Sequence, residues 1–427
     1  MNAIFHTLGC KVNQYETEAV REAFLNKGYT DDINLPADII VINSCTVTAE
    51  SDRKTRQLLR RCRREFPNSV IILTGCMVQA FPERSDNLAE ADIIIGNKNT
   101  SEIIGAAERF LTEKKRLTVH EDHNAGDAYT TPSISDFSER TRAFMKIEDG
   151  CDRFCSYCII PKARGRVRSR AIPDIKSEAI RLADKGYREI VLVGINLSAY
   201  GKGENFNICD AVDAVCSVDG ILRVRLGSLE PDHITDEMLI RLKDQEKFCP
   251  QFHLSLQSGC DETLKRMNRH YDSEFYFDLV SRIRNTFENA SVTTDIMVGF
   301  SGETDKEFGE SLDFVKKVGF ARAHIFIYSK REGTVAAALD CQVQRSVAEN
   351  RAKLMSVAAK QSETDFLATQ VGKIVPVLFE TPENGLSVGY TPNYSRVTVK
   401  TDKPLTGKIE SVKITSAESD HCVGIII

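Results

Sequence analysis

The chain is predicted to be an α/β protein in three parts: an N-terminal parallel sheet wrapped by helices, a central partial (βα)6 barrel, and a small C-terminal β-barrel. Three observations predict this. Short Val/Ile-rich runs alternate with amphipathic stretches of 3.6-residue period as far as about residue 329, the pattern of strands buried on both faces and their crossover helices. A polar, turn-rich stretch over 120–138 interrupts the alternation once. After a helical pattern over 344–369, short period-two runs punctuated by Asn384-Gly385, Pro392-Asn393 and 402–404 take over. The expected division is therefore 1–119, a linker 120–138, 139–343, a connecting helix 344–369, and 370–427.

Bulk properties limit the function classes. With 427 residues the chain has room for roughly two to four domains. Hydrophobic residues make up 42% and charged residues 27%, and the net charge is −5, so any nucleic-acid surface must be a local patch. No basic segment followed by a long apolar core opens the chain. Runs such as 39–42 and 190–193 fall far short of the roughly 20 apolar residues that span a bilayer, so no membrane partner is expected. Thirteen cysteines, an odd number, point to a reducing, cytoplasmic setting and to metal or redox use.

In the first part, strands are expected at 2–8, 37–42, 69–74 and 91–95, with helices at 16–27, 51–65 and 100–115. Three strands end in a cysteine, at Gly9-Cys10, Ser44-Cys45 and Gly75-Cys76. Ligands of open α/β sheets gather at the carboxyl ends of strands. A lone cysteine there is usually a packing residue, but three in successive units converge in space and suit a cluster held by three thiolates. Cys62, Cys209, Cys216, Cys249, Cys260, Cys341 and Cys422 show no such arrangement and are expected to pack.

In the second part, strands are expected at 143–147, 189–194, 222–226, 252–257, 292–298 and 323–328, with helices such as 174–185, 236–245, 273–287 and 306–318 between them. Six such units fit a partial barrel, whose function lies at the strand carboxyl ends. Cys151, Asn196, Glu230, Gln257, Gly299 and Ser329 fall there. After the turn at Asp149-Gly150, Cys151, Cys155 and Cys158 follow the spacing C-x3-C-x2-C. A structural zinc site would want a fourth ligand in paired spacing, and none follows. Three thiolates suit a [4Fe-4S] cluster with one open iron. A zinc-stabilised RNA-binding protein is the non-enzyme alternative.

The C-x3-C-x2-C spacing with Tyr157 before the last cysteine resembles the signature of the radical S-adenosylmethionine (SAM) enzymes. The whole chain resembles the radical SAM methylthiotransferase family, with its N-terminal cluster domain, radical SAM barrel and C-terminal TRAM domain. The residues that carry this are 8–18, 43–47, 74–76, 256–261, 295–300 and 328–334. One departure is Ser301, where the family has Pro. The runs 11–16, 194–201 and 161–170 look most like the branch acting on N6-threonylcarbamoyladenosine in tRNA. Sister branches act on isopentenyladenosine in tRNA or on an aspartate of a ribosomal protein.

The resemblance implies two [4Fe-4S] clusters, one on Cys10, Cys45 and Cys76, the other on the catalytic cysteines Cys151, Cys155 and Cys158. One SAM donates a methyl group to sulfur at the first cluster. A second is cleaved at the other by an electron from a donor the sequence does not identify. The resulting radical takes hydrogen from C2 of the adenine at position 37 of tRNA, and the carbon captures the methylthio group. Tyr157, Asn196, Glu230 and Gln257 are the implied SAM contacts.

Two cationic stretches are candidates for the tRNA. Lys162, Arg164, Arg166, Arg168 and Arg170 follow Cys158 with no acidic residue among them, and phosphate contact is expected there. Arg53, Lys54, Arg56, Arg60, Arg61, Arg63 and Arg64 are expected to form a solvated helix face. In the last part, strands are expected at 374–379, 386–389, 396–399, 407–414 and 421–427, closing an OB-type barrel. Phe379, Tyr390 and Tyr394 either stack bases or fill that barrel.

Overall fold

The computed structural model describes residues 1–137 and 141–427, so the expected boundary between linker and barrel at 138/139 lies outside the described residues. Five parallel strands, Ala3–Thr7, Ile39–Ser44, Val70–Gly75, Ile93–Ile95 and Leu117–Val119, pair in sequence order. Alternate residues bury on opposite faces. Ile39, Val41 and Ile72 pack with Phe24 and Ala107, while Ile40, Ile42 and Leu73 pack with Leu59 and Cys62. The first helix, Lys11–Asn26, starts five residues before the expected 16. Its opening turn reads as polar because Asn13 serves the cysteine site and is itself buried.

The segment 120–137 carries no regular secondary structure, yet it is strapped down rather than free. Ile134 and Phe137 are buried, Tyr129 Oη donates to Lys146 O at 2.8 Å, and Ser135 N donates to Glu22 Oε2 at 2.7 Å.

Six parallel strands then form an open barrel in sequence order. They are Ala143–Lys146, Glu189–Val193, Arg223–Leu226 with its continuation Ser228–Leu229, Gln251–Leu254, Ser291–Val298 and Arg322–Ile327. The third strand breaks at Gly227, so its first half pairs backward with the second strand and its last two residues pair forward with the fourth. Val224, Phe252, Leu254, Val292 and Ile296 meet Leu182, Val212, Leu239, Leu279 and Val315 of the surrounding helices in one core. Helix Arg345–Ala368 is more than a connector. It packs beside the edge strand Arg322–Ile327, and Arg351 anchors it to Glu303 at 2.7 Å.

The C-terminal strands close a barrel in the order Ile374–Phe379, Ser387–Tyr390, Arg396–Val399, Cys422–Ile426, Ile409–Ala417. Its turn 390–395 seals the amino end of the large barrel. Arg223 Nη1 donates to Tyr390 O at 2.9 Å and Arg225 Nη1 to Pro392 O at 2.8 Å. Tyr390 and Tyr394 stack at 4.7 Å, with the Arg142 guanidinium 4.9 and 5.0 Å from the two rings and Arg225 at 4.7 Å from Tyr394. Beneath them Glu189, fully buried, pairs with Arg225 at 3.0 Å. Of the two roles left open for these residues, Phe379 takes the packing one, while the two tyrosines plug the large barrel rather than fill the small one.

Candidate active site: two cysteine triads facing one interface

Cys10, Cys45 and Cys76 follow the carboxyl ends of three adjacent strands, so the sheet alone gathers them. Glycine makes the approach possible at Gly9 (φ +106°), where a Cβ would lie 2.9 Å from Cys45 Sγ. Asn13 organises the triad. Its Nδ2 donates to Leu8 O at 2.9 Å and Ser44 O at 3.0 Å, and its Oδ1 sits 3.9 Å from both Cys10 Sγ and Cys76 Sγ. Burial pushes the Cys76 thiol up to about 12, against the pull of Arg164. Cys10 is exposed, whereas Cys45 and Cys76 are buried.

The second triad lies on the loop between the first barrel strand and helix Ile160–Arg164. Gly150 (φ +86°) opens it, and a Cβ there would strike Arg166 O. Cys151 N donates to Gly165 O at 3.0 Å and Cys158 N to Cys155 O at 2.9 Å, which folds the loop back on itself. Two N–H groups already point at sulfur: Arg153 N at 3.5 Å from Cys151 Sγ and Arg269 Nη1 at 3.2 Å from Cys155 Sγ. Burial pushes the Cys151 thiol up to about 12 and that of Cys158 still higher. Both triads therefore need compensating donors to exist as thiolates, and both have an arginine for it. Among the described residues, no group of three or more His, Cys, Asp or Glu is gathered around a single-ion position.

A small apolar joint of Cys76, Ala80, Phe81, Ile159 and Ala163 connects the two loops. Beside it runs a buried charge network: Lys146 pairs with Glu16 and Asp149 at 2.7 Å each, and Arg164 pairs with Glu16. Burial alone would raise Asp149, but Lys146, Arg164 and Arg168 outweigh it and hold the carboxyl far below the usual range. A second tie joins Arg331 to Thr46 and Asp52 at 2.6 and 2.8 Å.

The polar residues expected around the second triad lie at the strand carboxyl ends. Tyr157 packs edge-on against Phe300 at 6.3 Å. Asn196 N donates to Glu148 Oε2 at 2.7 Å, while Asn196 Oδ1 and Glu148 Oε1 are buried without a partner. Glu230 pairs with Arg269 and, at 3.3 Å, with Arg153. Gln257 holds a left-handed backbone (φ +70°) between Asp295 O and Met297 N, both at 2.8 Å. Glu148, Arg153, Arg269 and Asn13 escaped the sequence reading. A buried polar side chain has no local signature; Asn13, Glu148 and Arg153 lie in or beside a motif already singled out, whereas Arg269 lies in none.

The expected phosphate-contact run is corrected in three of its five members. Arg164 is buried on Glu16 and Asn13, Arg170 is buried on Glu178 at 2.7 Å, and Arg168 turns in to Asp149 at 3.2 Å. Lys162 and Arg166 remain exposed. Of the cysteines expected to pack, Cys341 is instead exposed. Ser301, in place of the family's Pro, is buried and ties its loop through Gln342 Nε2 at 3.0 Å.

Residues 145–315 match the radical SAM superfamily, and residues 2–96 match an uncharacterised protein family, UPF0004. A threonylcarbamoyladenosine tRNA methylthiotransferase of Bacillus subtilis is 38% identical over 97% of this chain and 93% of its own length. The chain belongs to the radical SAM methylthiotransferase family. A tRNA-2-methylthio-N(6)-dimethylallyladenosine synthase of Clostridium novyi, 36% identical over 99% of this chain and 95% of its own, is a further relative. Among solved structures, the radical SAM methyltransferase TsrM of Kitasatospora setae shares the fold, with a TM-score of 0.59 at 14% identity, covering 79% of this chain and 77% of that one. As a family member, this methylthiotransferase is an enzyme that works with SAM and [4Fe-4S] clusters. Three soft sulfurs per site, each with N–H donors in place, fit such clusters. The two orphaned oxygens of Asn196 and Glu148 fit a ligand that donates hydrogen bonds.

Proposed function

We propose that this methylthiotransferase places a methylthio group on C2 of N6-threonylcarbamoyladenosine in tRNA, working in the cytoplasm with one electron supplied by a separate donor. The observation that carries the substrate is the 38% identity, along nearly the whole chain, to a relative named for that activity, together with two separate cysteine triads. Cys10, Cys45 and Cys76 hold one cluster, and Cys151, Cys155 and Cys158 the other. When bound, the clusters and SAM supply the methyl group, the sulfur-bearing site and a 5′-deoxyadenosyl radical.

The chain's own work is positioning. Tyr157 and Gln257 flank the SAM site, and Asn196 Oδ1 and Glu148 Oε1 accept its N–H or O–H donors. Burial pushes the Glu148 carboxyl above the usual carboxylate range, against the Asn196 and Ile195 N–H groups that draw it down. Arg269 holds Glu230 on one side and Cys155 on the other, joining the SAM side to the cluster side. The apolar joint around Phe81 and Ile159 keeps water from the space behind both loops. Lys162 and Arg166 meet tRNA phosphates.

The test is mass spectrometry of tRNA nucleosides from cells with and without this gene. The methylthio derivative of N6-threonylcarbamoyladenosine disappears on deletion and its precursor accumulates. Loss of the isopentenyl-type derivative, the branch of the 36% relative, would reassign the substrate.

A further inference from the structure

Inside the second cysteine loop sits an aromatic ring that the chemistry above does not use. Phe154 lies between Cys151 and Cys155, yet its side chain points out, 47% exposed. Its backbone is left-handed (φ +51°), a costly conformation for a bulky residue, and Asn268 Nδ2 holds it by donating to Phe154 O at 3.0 Å. The loop thus pays strain to present an apolar ring to water. On that ring lies the Arg166 guanidinium, 4.6 Å from the centroid and itself 57% exposed. Around it the charge is positive: Arg166 and Lys202 share the single acid Asp152, at 3.5 and 2.6 Å. Two further apolar side chains stand exposed on segments linked to this loop. Val335 precedes Ala336, whose N–H donates to Ser156 O at 2.7 Å, and Val47 follows Thr46, which is tied to Arg331, four residues before Val335.

We propose that Phe154, backed by Arg166, is a stacking platform for a nucleobase of the tRNA next to the target adenosine. The inference rests on the tRNA reading above and adds which surface receives the RNA. An adenine cannot be attacked at C2 within a stacked loop and must leave the stack, which costs unstacking free energy and strips one face of a neighbouring base. An aromatic ring with an arginine beside it restores that face without reading sequence. The net positive rim accepts the flanking phosphate. The ring's place in the reactive loop puts the replaced stack beside the site where the target must enter.

The test uses the full chain with both clusters reconstituted and a synthetic anticodon stem-loop carrying 2-aminopurine at either neighbour of the target. In the wild type, fluorescence at one of the two positions is quenched on binding. Phe154→Leu removes the quench and weakens binding about 5- to 100-fold, while Phe154→Trp keeps both. Iron content and RNA-free SAM cleavage of Phe154→Leu stay at wild-type levels. Should that variant lose iron, Arg166→Met carries the affinity test, with a weaker complex and a salt slope smaller by about 1. Phe154→Leu or Arg166→Met binding within twofold of wild type, or no quench at either position in a wild type that modifies the RNA, overturns the platform alone. A wild type that binds no stem-loop overturns the tRNA reading itself.

Discussion

The Arg164 guanidinium donates through Nε to Cys76 Sγ at 3.2 Å while its Nη2 donates to Asn13 Oδ1 at 2.8 Å. The arginine comes from the barrel and the cysteine from the N-terminal sheet, so one side chain reaches from the loop of one triad to a sulfur of the other.

Replacing Arg164 by Met leaves Glu16 and Asp149 short of a buried cation and Cys76 without its donor. The expected cost is about 3 kcal/mol of stability. Iron should fall from about eight to about four per chain, as the N-terminal cluster alone is lost. Lys retains charge without the fork and is expected to lie between. Iron analysis and thermal unfolding check both. Retention of all the iron in Arg164→Met would sink the assignment. The salt slope of tRNA binding should not change, because Arg164 faces no solvent.

Arg269 bears on reduction potential. Its Nη1–H and positive charge at Cys155 Sγ favour the more negative, reduced cluster. Arg269→Met should therefore lower the midpoint of that cluster by about 50 mV, read by an EPR-monitored redox titration. An unmoved midpoint with intact cluster signal would show that the contact is structural only.

The metal-free thiols should react in a set order. With its thiol held at about 12, Cys76 is protonated at neutral pH, and it is also buried, whereas Cys10 is exposed. Iodoacetamide at neutral pH should label Cys10 first and Cys76 last, followed by peptide mass spectrometry. Equal rates would contradict the burial.

At the floor of the barrel, burial alone would raise Glu189, but Arg225, Arg142 and Arg223 outweigh it and hold its carboxyl below the ordinary value of 4.5. A depressed carboxyl contributes stability above its unfolded value and loses it as pH falls through the folded one. Melting temperature measured from about pH 6 down to about pH 3.5 should therefore fall less steeply in Glu189→Gln than in wild type, from a lower starting point. Tyr394→Ala should cost about 2 kcal/mol at neutral pH through the lost stack and cation contacts. Parallel pH profiles of the wild type and Glu189→Gln would refute the ion-pair account.

The cysteines were legible because each triad is written locally, as strand ends or as one loop, and parallel topology then brings Cys10, Cys45 and Cys76 together. Arg164 and Arg170 were not. A basic run without acids reads the same whether it meets phosphate or meets Glu16 and Glu178, which only the folded chain brings near. The role of Tyr390 and Tyr394 stayed open for the same reason, since their partners Arg142 and Arg225 lie in another part of the chain. The hairpin of Glu148–Asp149 with Arg168–Ser169 is too short for any period to reveal.

The turn 390–395 that closes the floor beneath Arg142 and Arg225 makes the small barrel part of the large one's foundation. Without it two guanidinium groups lose their carbonyl and ring partners at once, so the two barrels are expected to melt as one cooperative unit.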